Sequence, residues 1–118
     1  MAFRKSKAVT EFHWPATIEV PNDGRFETFV ISARFRIPNE DESDSILQDI
    51  MQGQVNELEL VRRIWVGWKE GHIEDDDGTP LPPTPENLEH FLRMPYFRRG
   101  LIRAYLESNA GKKAARKN

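Results

Sequence analysis

The 118-residue chain contains no cysteine, which excludes a disulfide framework, a thiolate nucleophile and any Cys-ligated zinc or iron–sulfur site. No apolar run approaches the ~18 residues that a membrane-spanning helix needs. The first residues lack the apolar stretch of a secretory signal peptide, so we expect a cytoplasmic protein that does not bind membranes. Three Trp, seven Phe and two Tyr are nevertheless too many aromatic residues for a wholly disordered chain. The length and composition predict one domain with one modest core.

Motifs of catalytic and metal sites are also missing. The chain has no His-Glu-x-x-His, no Gly-rich phosphate loop and no Gly-x-Ser-x-Gly elbow. Acidic residues 74–77 precede Gly78 as in a calcium loop, but the first ligand position then holds Ile73 and the last holds Thr84. A metal-dependent enzyme would require this loop to bind a divalent ion, and a solvated acidic turn is the favoured interpretation. We therefore predict no catalytic residues, no metal, no cofactor and no enzymatic activity.

Charge is unevenly distributed along the chain. Residues 1–38 carry six basic and four acidic groups, whereas residues 39–90 carry three and fourteen, a net charge of −11. Residues 91–118 carry eight basic groups and one acidic group, a net charge of +7. Such blocks can neutralise each other within one chain, or they can dock on separate partners or subunits. The sequence leaves both arrangements open.

The first part of the chain has the pattern of a β-hairpin. Apolar residues alternate with polar ones over residues 12–20 and again over residues 29–37. Residues 21–24 (Pro-Asn-Asp-Gly) between them are predicted to form a four-residue turn. Pro15 has no backbone N–H to donate, so its strand is predicted to lie at an edge of the sheet.

A four-residue turn fixes the register of this hairpin. Residue numbers of paired positions then sum to 45, and a shift of one residue would move the apolar side chains to the other face. The predicted pairs are Trp14 opposite Ile31 on the apolar face and Glu11 opposite Arg34 on the polar face.

Helix signals follow a polar link at residues 38–44. Ser45 with Gln48 predicts the start of one helix, and Asn56 with Glu59 predicts the start of a second, or of the second half of a single helix kinked at Gly53. The second helix would carry a stripe of five residues: Leu58, Val61, Ile64, Trp65 and Trp68. Trp65 and Trp68, three residues apart, are expected to pack together.

Two further helices are predicted near the end of the chain. Residues 71–83 are predicted to form a loop with a turn at Asp77–Gly78, in which Ile73 pairs with Leu81. Thr84 and Pro85 predict the start of a third helix, and Pro95 that of a fourth. The buried positions predicted for them are Leu88, Phe91, Leu92, Phe97, Leu101, Ile102, Tyr105 and Leu106. The predicted class is α+β, an N-terminal antiparallel β-hairpin followed by four or so short helices. We expect one domain over residues 1–111 and a basic disordered tail over residues 112–118.

The order and spacing of short motifs in the C-terminal half resemble a known family. These motifs are Val66-Gly67-Trp68-Lys69, Asp76-Asp77-Gly78 with Pro80-Leu81-Pro82, Thr84-Pro85-Glu86-Asn87-Leu88, Pro95-Tyr96, Ala104-Tyr105-Leu106-Glu107 and the final Lys117-Asn118. Together they resemble the tail assembly chaperones of long-tailed bacteriophages and prophages, over residues 58–118. The N-terminal hairpin adds little to this resemblance.

The resemblance implies a non-enzymatic function in tail morphogenesis. Such proteins keep the tape measure protein soluble, help to recruit tail tube subunits and are absent from the finished virion. The family often makes a longer second product by ribosomal frameshifting. It offers no catalytic residues and no cofactor. The expected partners are therefore the tape measure protein and the tail tube protein, in the host cytoplasm.

A partner surface and an alternative function follow from the residues themselves. We predict weak self-association and tighter binding of a long helical partner, through a surface formed by Trp65, Trp68, Phe97, Leu101, Arg98 and Arg99. The alternative is a small nucleic-acid-binding regulator that uses the basic residues between 93 and 117. Pairing of the arginines with acidic residues of the segment 39–90, or of another subunit, is the favoured interpretation, so nucleic acid is not an expected partner.

Overall fold

The computed structural model describes residues 1–53 and 56–110 of the chain. Within them a three-stranded antiparallel sheet is combined with four α-helices, which confirms the predicted α+β class. The elements in chain order are β1 (Glu11–Asn22), β2 (Arg25–Arg36), α1 (Glu40–Met51), α2 (Glu57–Ile64), β3 (Trp65–Trp68), α3 (Pro85–Leu92) and α4 (Pro95–Asn109), preceded by a 3-10 turn at Lys5–Lys7. The predicted tail at 112–118 lies outside the described residues.

The β1–β2 hairpin is longer and turns more tightly than predicted. Only Asp23 and Gly24 form the turn, with φ angles of 51° and 82°, as an Asp-Gly hairpin turn with positive φ at both positions allows. Paired residue numbers therefore sum to 47, and Trp14 lies opposite Ala33. The predicted register was wrong by two residues because Asp-Gly suffices to reverse the chain and leaves the two preceding residues in β1.

The two-residue shift leaves the faces of the hairpin as predicted, since side chains alternate with a period of two. Trp14 and Ile31 still lie on the same face, although they are not directly opposite. Glu11 lies opposite Arg36 but still reaches Arg34 diagonally, with 3.8 Å between its Oε1 and the Arg34 Nε. β1 is an edge strand, as Pro15 predicted, and β2 is central.

β3 replaces the end of a predicted helix. Trp65 lies opposite Phe35 and Trp68 lies opposite Ala33, so Val66 is an extra residue that forms a β-bulge. The bulge turns both indoles to the same face of the sheet, where their ring centroids lie 5.6 Å apart. The two Trp rings pack together as predicted. The predicted helical stripe through them was wrong, because a strand with a bulge at Val66 also places Trp65 and Trp68 side by side.

The first helix also differs from the prediction. α1 begins at Glu40, because the side chain of Asn39 accepts a hydrogen bond from the backbone N–H of Glu42 at 2.9 Å. Acidic residues in its first turn are favourable beside the positive end of the helix. The polar link predicted for residues 38–44 was therefore wrong over most of its length. The caps predicted at Asn56 and Thr84 are confirmed by side-chain hydrogen bonds.

The helices cover one face of the sheet, and the core lies between that face and the helices. α4 runs along β1, and Gly100 allows the close approach of the two backbones: a Cβ there would lie 2.5 Å from the Thr17 carbonyl oxygen. The core residues with the least exposure are Ala16, Ala33, Phe35, Val61, Ile64 and Leu101. In α4, Phe97, Leu101 and Tyr105 are buried as predicted, whereas Leu106 is exposed.

An ion-pair network joins α2 to α3. The Glu89 carboxylate accepts hydrogen bonds from Arg62 Nε at 2.7 Å and from Arg62 Nη2 at 3.1 Å. Arg93 Nε donates to the same carboxylate at 3.1 Å. The hydrogen bonds from Arg62, followed by the charges of both arginines, hold the pKa of Glu89 below its ordinary value.

Replacing Glu89 by Gln is expected to make folding stability less sensitive to acid. A carboxylate with a lowered pKa in the folded state stabilises the fold above its ordinary pKa, and this contribution disappears as the pH falls through the lowered value. The effect is small because the network is exposed. Thermal midpoints between pH 7 and pH 2 measure it, with Glu86→Gln on the same helix as control. If acid lowered the thermal midpoint equally in wild type, Glu89→Gln and Glu86→Gln, this account would be contradicted.

Candidate partner-binding surface

The four apolar residues predicted to bind a partner lie in the core. Trp65, Trp68, Phe97 and Leu101 are all buried. The Trp65 ring lies 5.5 Å from that of Phe97, and the Trp68 ring contacts Phe91 edge-on at 5.9 Å. β3, α3 and α4 meet in this aromatic cluster, so the predicted surface has to be corrected: its four apolar members are buried, although Phe97 still lines the groove described below.

The two arginines predicted beside them have different positions. Arg98 is largely covered, and its Nη1 donates to the Leu92 carbonyl oxygen at 3.0 Å. Its Nε lies 3.8 Å from an oxygen of Glu57. Arg98 therefore ties the α3–α4 turn to α2. Arg99 is exposed and lines a small pocket beside Thr17. A contact of either arginine with a partner remains a prediction.

Other basic residues of this region are paired within the chain. Arg93 contacts Glu89 at 3.1 Å, and Arg103 Nη1 lies 2.9 Å from a carboxylate oxygen of Glu19. The predicted pairing with acidic residues of segment 39–90 is thus found for Arg93, whereas Arg103 pairs with a residue of β1. Exposed pairs of this kind contribute up to ~1 kcal/mol each to stability.

The end of the hairpin extends beyond the helical layer. All residues from 25 to 30 are exposed, including three apolar ones. Phe26 and Val30 are each 63% exposed, and Phe29 is 50% exposed. Phe29 is on the face that carries the core further along the sheet, whereas Phe26 and Val30 are on the opposite face. Apolar side chains are thus grouped on both faces of the hairpin end.

An apolar groove of about 630 Å³ lies between the hairpin end and the turn that connects α3 to α4. Val20 and Phe29 line it on the hairpin side. Phe91, Met94 and Tyr96 line it on the helical side, and all three are half-buried. Buried side chains from the sheet and α4, Phe97 among them, also line it. The groove therefore combines one exposed apolar side chain, Phe29, with half-buried ones in a concave shape that a protein segment can fill.

The acidic loop lines part of the same groove. Glu74, Asp75 and Asp76 are among its lining residues. The loop is held by a pairing that the sequence predicted, since the Leu81 N–H donates to the Ile73 carbonyl oxygen at 2.9 Å. This part of the groove consequently carries negative charge.

Asp77 stabilises the turn of this loop. Its Oδ1 accepts a hydrogen bond from the Thr79 N–H at 2.9 Å. The backbone and side-chain hydrogen bonds from Thr79 lower the pKa of Asp77. Across residues 1–53 and 56–110, no group of three His, Asp or Glu side chains could hold a metal ion. Nor do these residues form a helix with the length and apolar character to cross a membrane.

Comparison with known proteins gives no relative: no family model, curated protein or solved structure matches the chain.

Sequence reasoning missed the groove because its residues carry ordinary core signals. Phe29 belongs to an alternating strand, and Phe91 belongs to a helical stripe. The hairpin extends further than the helices that cover it. Neither the strand alternation nor the helical stripe indicates this difference in length. The one local signal was Met94, a large apolar residue directly before the Pro that begins α4.

Proposed function

We propose that the protein is a non-enzymatic binding protein of bacteriophage tail assembly, which keeps the tape measure protein soluble and helps to recruit tail tube subunits. The observation that carries this proposal is the apolar groove between the hairpin end and the α3–α4 turn. The order of motifs over residues 58–118, which resembles that of tail assembly chaperones, gives the proposal its biological context. Both lie in a chain for which the sequence predicts no cofactor.

The chemistry of the groove defines the segment that it would bind. Phe29, Met94 and Tyr96 offer apolar contact area, and burial of apolar surface provides the main driving force of association. The carboxylates at Glu74, Asp75 and Asp76 favour basic side chains in the part of the groove that they line. The proposed ligand is therefore a segment of the tape measure protein with apolar residues on one face and Lys or Arg nearby.

Replacing Met94 by Asp is expected to abolish this binding while the fold is kept. Met94 is the N-cap residue of α4, and its side chain accepts no hydrogen bond from the backbone of the first turn. Asp is one of the residues preferred at an N-cap, because its carboxylate can accept such a bond. The change removes the apolar contact area of Met94 and makes an apolar partner cover a carboxylate, which costs over ~1.4 kcal/mol, corresponding to at least about tenfold weaker binding. The measurement is the soluble fraction of a tape measure fragment co-expressed with each variant.

The control for this experiment is Leu47→Asp, which introduces the same charge at an exposed apolar residue of α1, outside the groove. Wild type and Leu47→Asp should keep the fragment soluble to the same extent. A fragment that stays equally soluble with Met94→Asp would contradict the groove as the site. A fragment that is insoluble with every variant, including wild type, would contradict the chaperone function itself.

A further inference from the structure

The outer half of β2 has an open edge. Asn22 and Arg25 flank the two-residue turn and form a hydrogen-bonded pair. Hydrogen-bonded and non-hydrogen-bonded pairs alternate along an antiparallel ladder, so the even-numbered residues of β2 direct their N–H and C=O groups away from β1. Ser32 belongs to this series: its N–H donates to His72 Nδ1 at 2.8 Å, and its C=O accepts from the Lys69 N–H at 2.9 Å. The members of the series nearer the turn are Phe26, Thr28 and Val30.

These three positions face no strand in the described part of the chain. β3 pairs with β2 only over Ala33–Phe35, and Phe26, Thr28 and Val30 are all exposed. A row of outward N–H and C=O groups, with Phe and β-branched side chains and no Pro, is a template for pairing with another strand.

The opposite edge of the hairpin is protected. In β1 the outward series includes Pro15 and Pro21, which offer no N–H to another strand. Between them, Gly100 of α4 lies against the carbonyl group of Thr17. One edge of the sheet is thus closed by two prolines and a helix, whereas three outward residues of the other, Phe26, Thr28 and Val30, face no strand among the described residues.

We propose that this open edge pairs with the same edge of a second copy of the chain, antiparallel and with a two-fold axis at Thr28. In this register Thr28 pairs with Thr28 of the second copy, and Phe26 pairs with its Val30. In this register each of the three outward residues pairs with an outward residue of the second copy, so that their backbone N–H and C=O groups can bond to each other. The inference does not depend on the proposed function.

Self-complementarity is the reason for assigning a second copy to this edge. An interface around a two-fold axis must match itself, residue for residue. Thr–Thr and aromatic–β-branched pairs are both favourable across antiparallel strands. The outward groups of Ser32 are already bonded to His72 and Lys69 and limit the pairing to residues 26–30.

The interface is small, so the dimer is weak. Each copy contributes five strand residues, 26–30, and a standard stable interface buries about 800 Å² per partner. We therefore expect association that is weak and seen only at high protein concentration, as for contacts at the low end of the size range.

The first test removes one outward hydrogen-bond donor. Thr28→Pro deletes an N–H that the hairpin does not use, and Pro is tolerated at such edge positions. His13→Pro makes the same change at an outward position of β1 and is the matched control. Sedimentation equilibrium at increasing concentration should show dimers for wild type and His13→Pro, and at least about tenfold weaker association for Thr28→Pro. A wild type that remains monomeric, or equal association of all three proteins, would overturn the proposal.

The second test fixes the register and does not depend on the folding of a Pro variant. Because the chain has no cysteine, Thr28→Cys introduces a single thiol. Its Cα would lie about 5.5 Å from that of the second copy, within the range of a disulfide. Oxidation should link this variant into dimers at least about tenfold faster than Thr17→Cys on β1. Equal rates, or faster linkage of Thr17→Cys, would overturn the proposal.

A mixture of two variants tests the same register independently. Phe26→Cys and Val30→Cys should form a mixed disulfide when combined. Each alone should link slowly, since identical residues would lie roughly 13 Å apart along the strands. Preferential linkage of each variant to itself would contradict the two-fold at Thr28.

Discussion

Replacing Phe35 by Ala should lower the free energy of unfolding by about 3–5 kcal/mol, the usual cost of deleting a fully buried Phe side chain. Phe35 is completely buried in the central strand. Its ring lies 5.7 Å from that of Phe12 and 5.9 Å from that of Tyr105, so it joins the sheet to α4. Domains of this size have a total stability of about 5–15 kcal/mol. The variant should therefore be close to unfolding at 37 °C, which urea denaturation measures directly.

The matched control is Phe26→Ala, which removes the same atoms from an exposed position of the same strand. Its stability should remain within about 0.5 kcal/mol of wild type. Both measurements are made at low protein concentration, where the proposed dimer is dissociated. Similar losses of unfolding free energy in Phe35→Ala and Phe26→Ala would mean that β2 does not bury Phe35 on one face and expose Phe26 on the other.

Replacing Gly100 by Ala should destabilise the protein by about 2 kcal/mol, although Ala is the better helix former by ~1 kcal/mol. The added Cβ would lie 2.5 Å from the Thr17 carbonyl oxygen and 2.7 Å from Ile18 Cδ1. The Ile18 side chain can move, but the backbone oxygen belongs to β1 and cannot move without displacing the strand. Thermal and urea denaturation should both show the loss.

Arg99→Ala is the control for this change, because it places Ala at the adjacent, exposed position of α4. It should change stability by no more than about 0.5 kcal/mol. If Gly100→Ala were instead more stable than wild type, the helix propensity would dominate, and α4 could not lie as close to β1 as described.

The groove and the open edge belong to the same end of the hairpin, and the two proposals fit together. Pairing around Thr28 sets odd residues opposite odd residues, so Phe29 of both copies points to the same side of the joined sheet. The two grooves of a dimer would then face the same way. A long partner that spans both would bind more tightly than a short one through effective concentration alone.

Local interactions made several elements predictable from the sequence. The side chains of Asn56 and Thr84 bond to backbone N–H groups three residues later, so the sequence within one turn decides where these helices begin. The faces of β1 and β2 were also predictable, because alternation is a property of each strand by itself. The pairing of Ile73 with Leu81 needed only the turn between them.

Only the tertiary structure decided the rest. Trp65 and Trp68 fit a helical stripe, and their strand exists because Phe35 and Ala33, some thirty residues earlier, provide a partner. The register of the hairpin depended on which residues of a four-residue sequence actually form the turn. The burial of the apolar residues predicted to bind a partner, and the groove beside the hairpin end, follow from how far the helices extend over the sheet. Local preference fixes faces and caps, whereas the pairing of distant segments and the lengths of packed elements fix which apolar residues remain available to a partner.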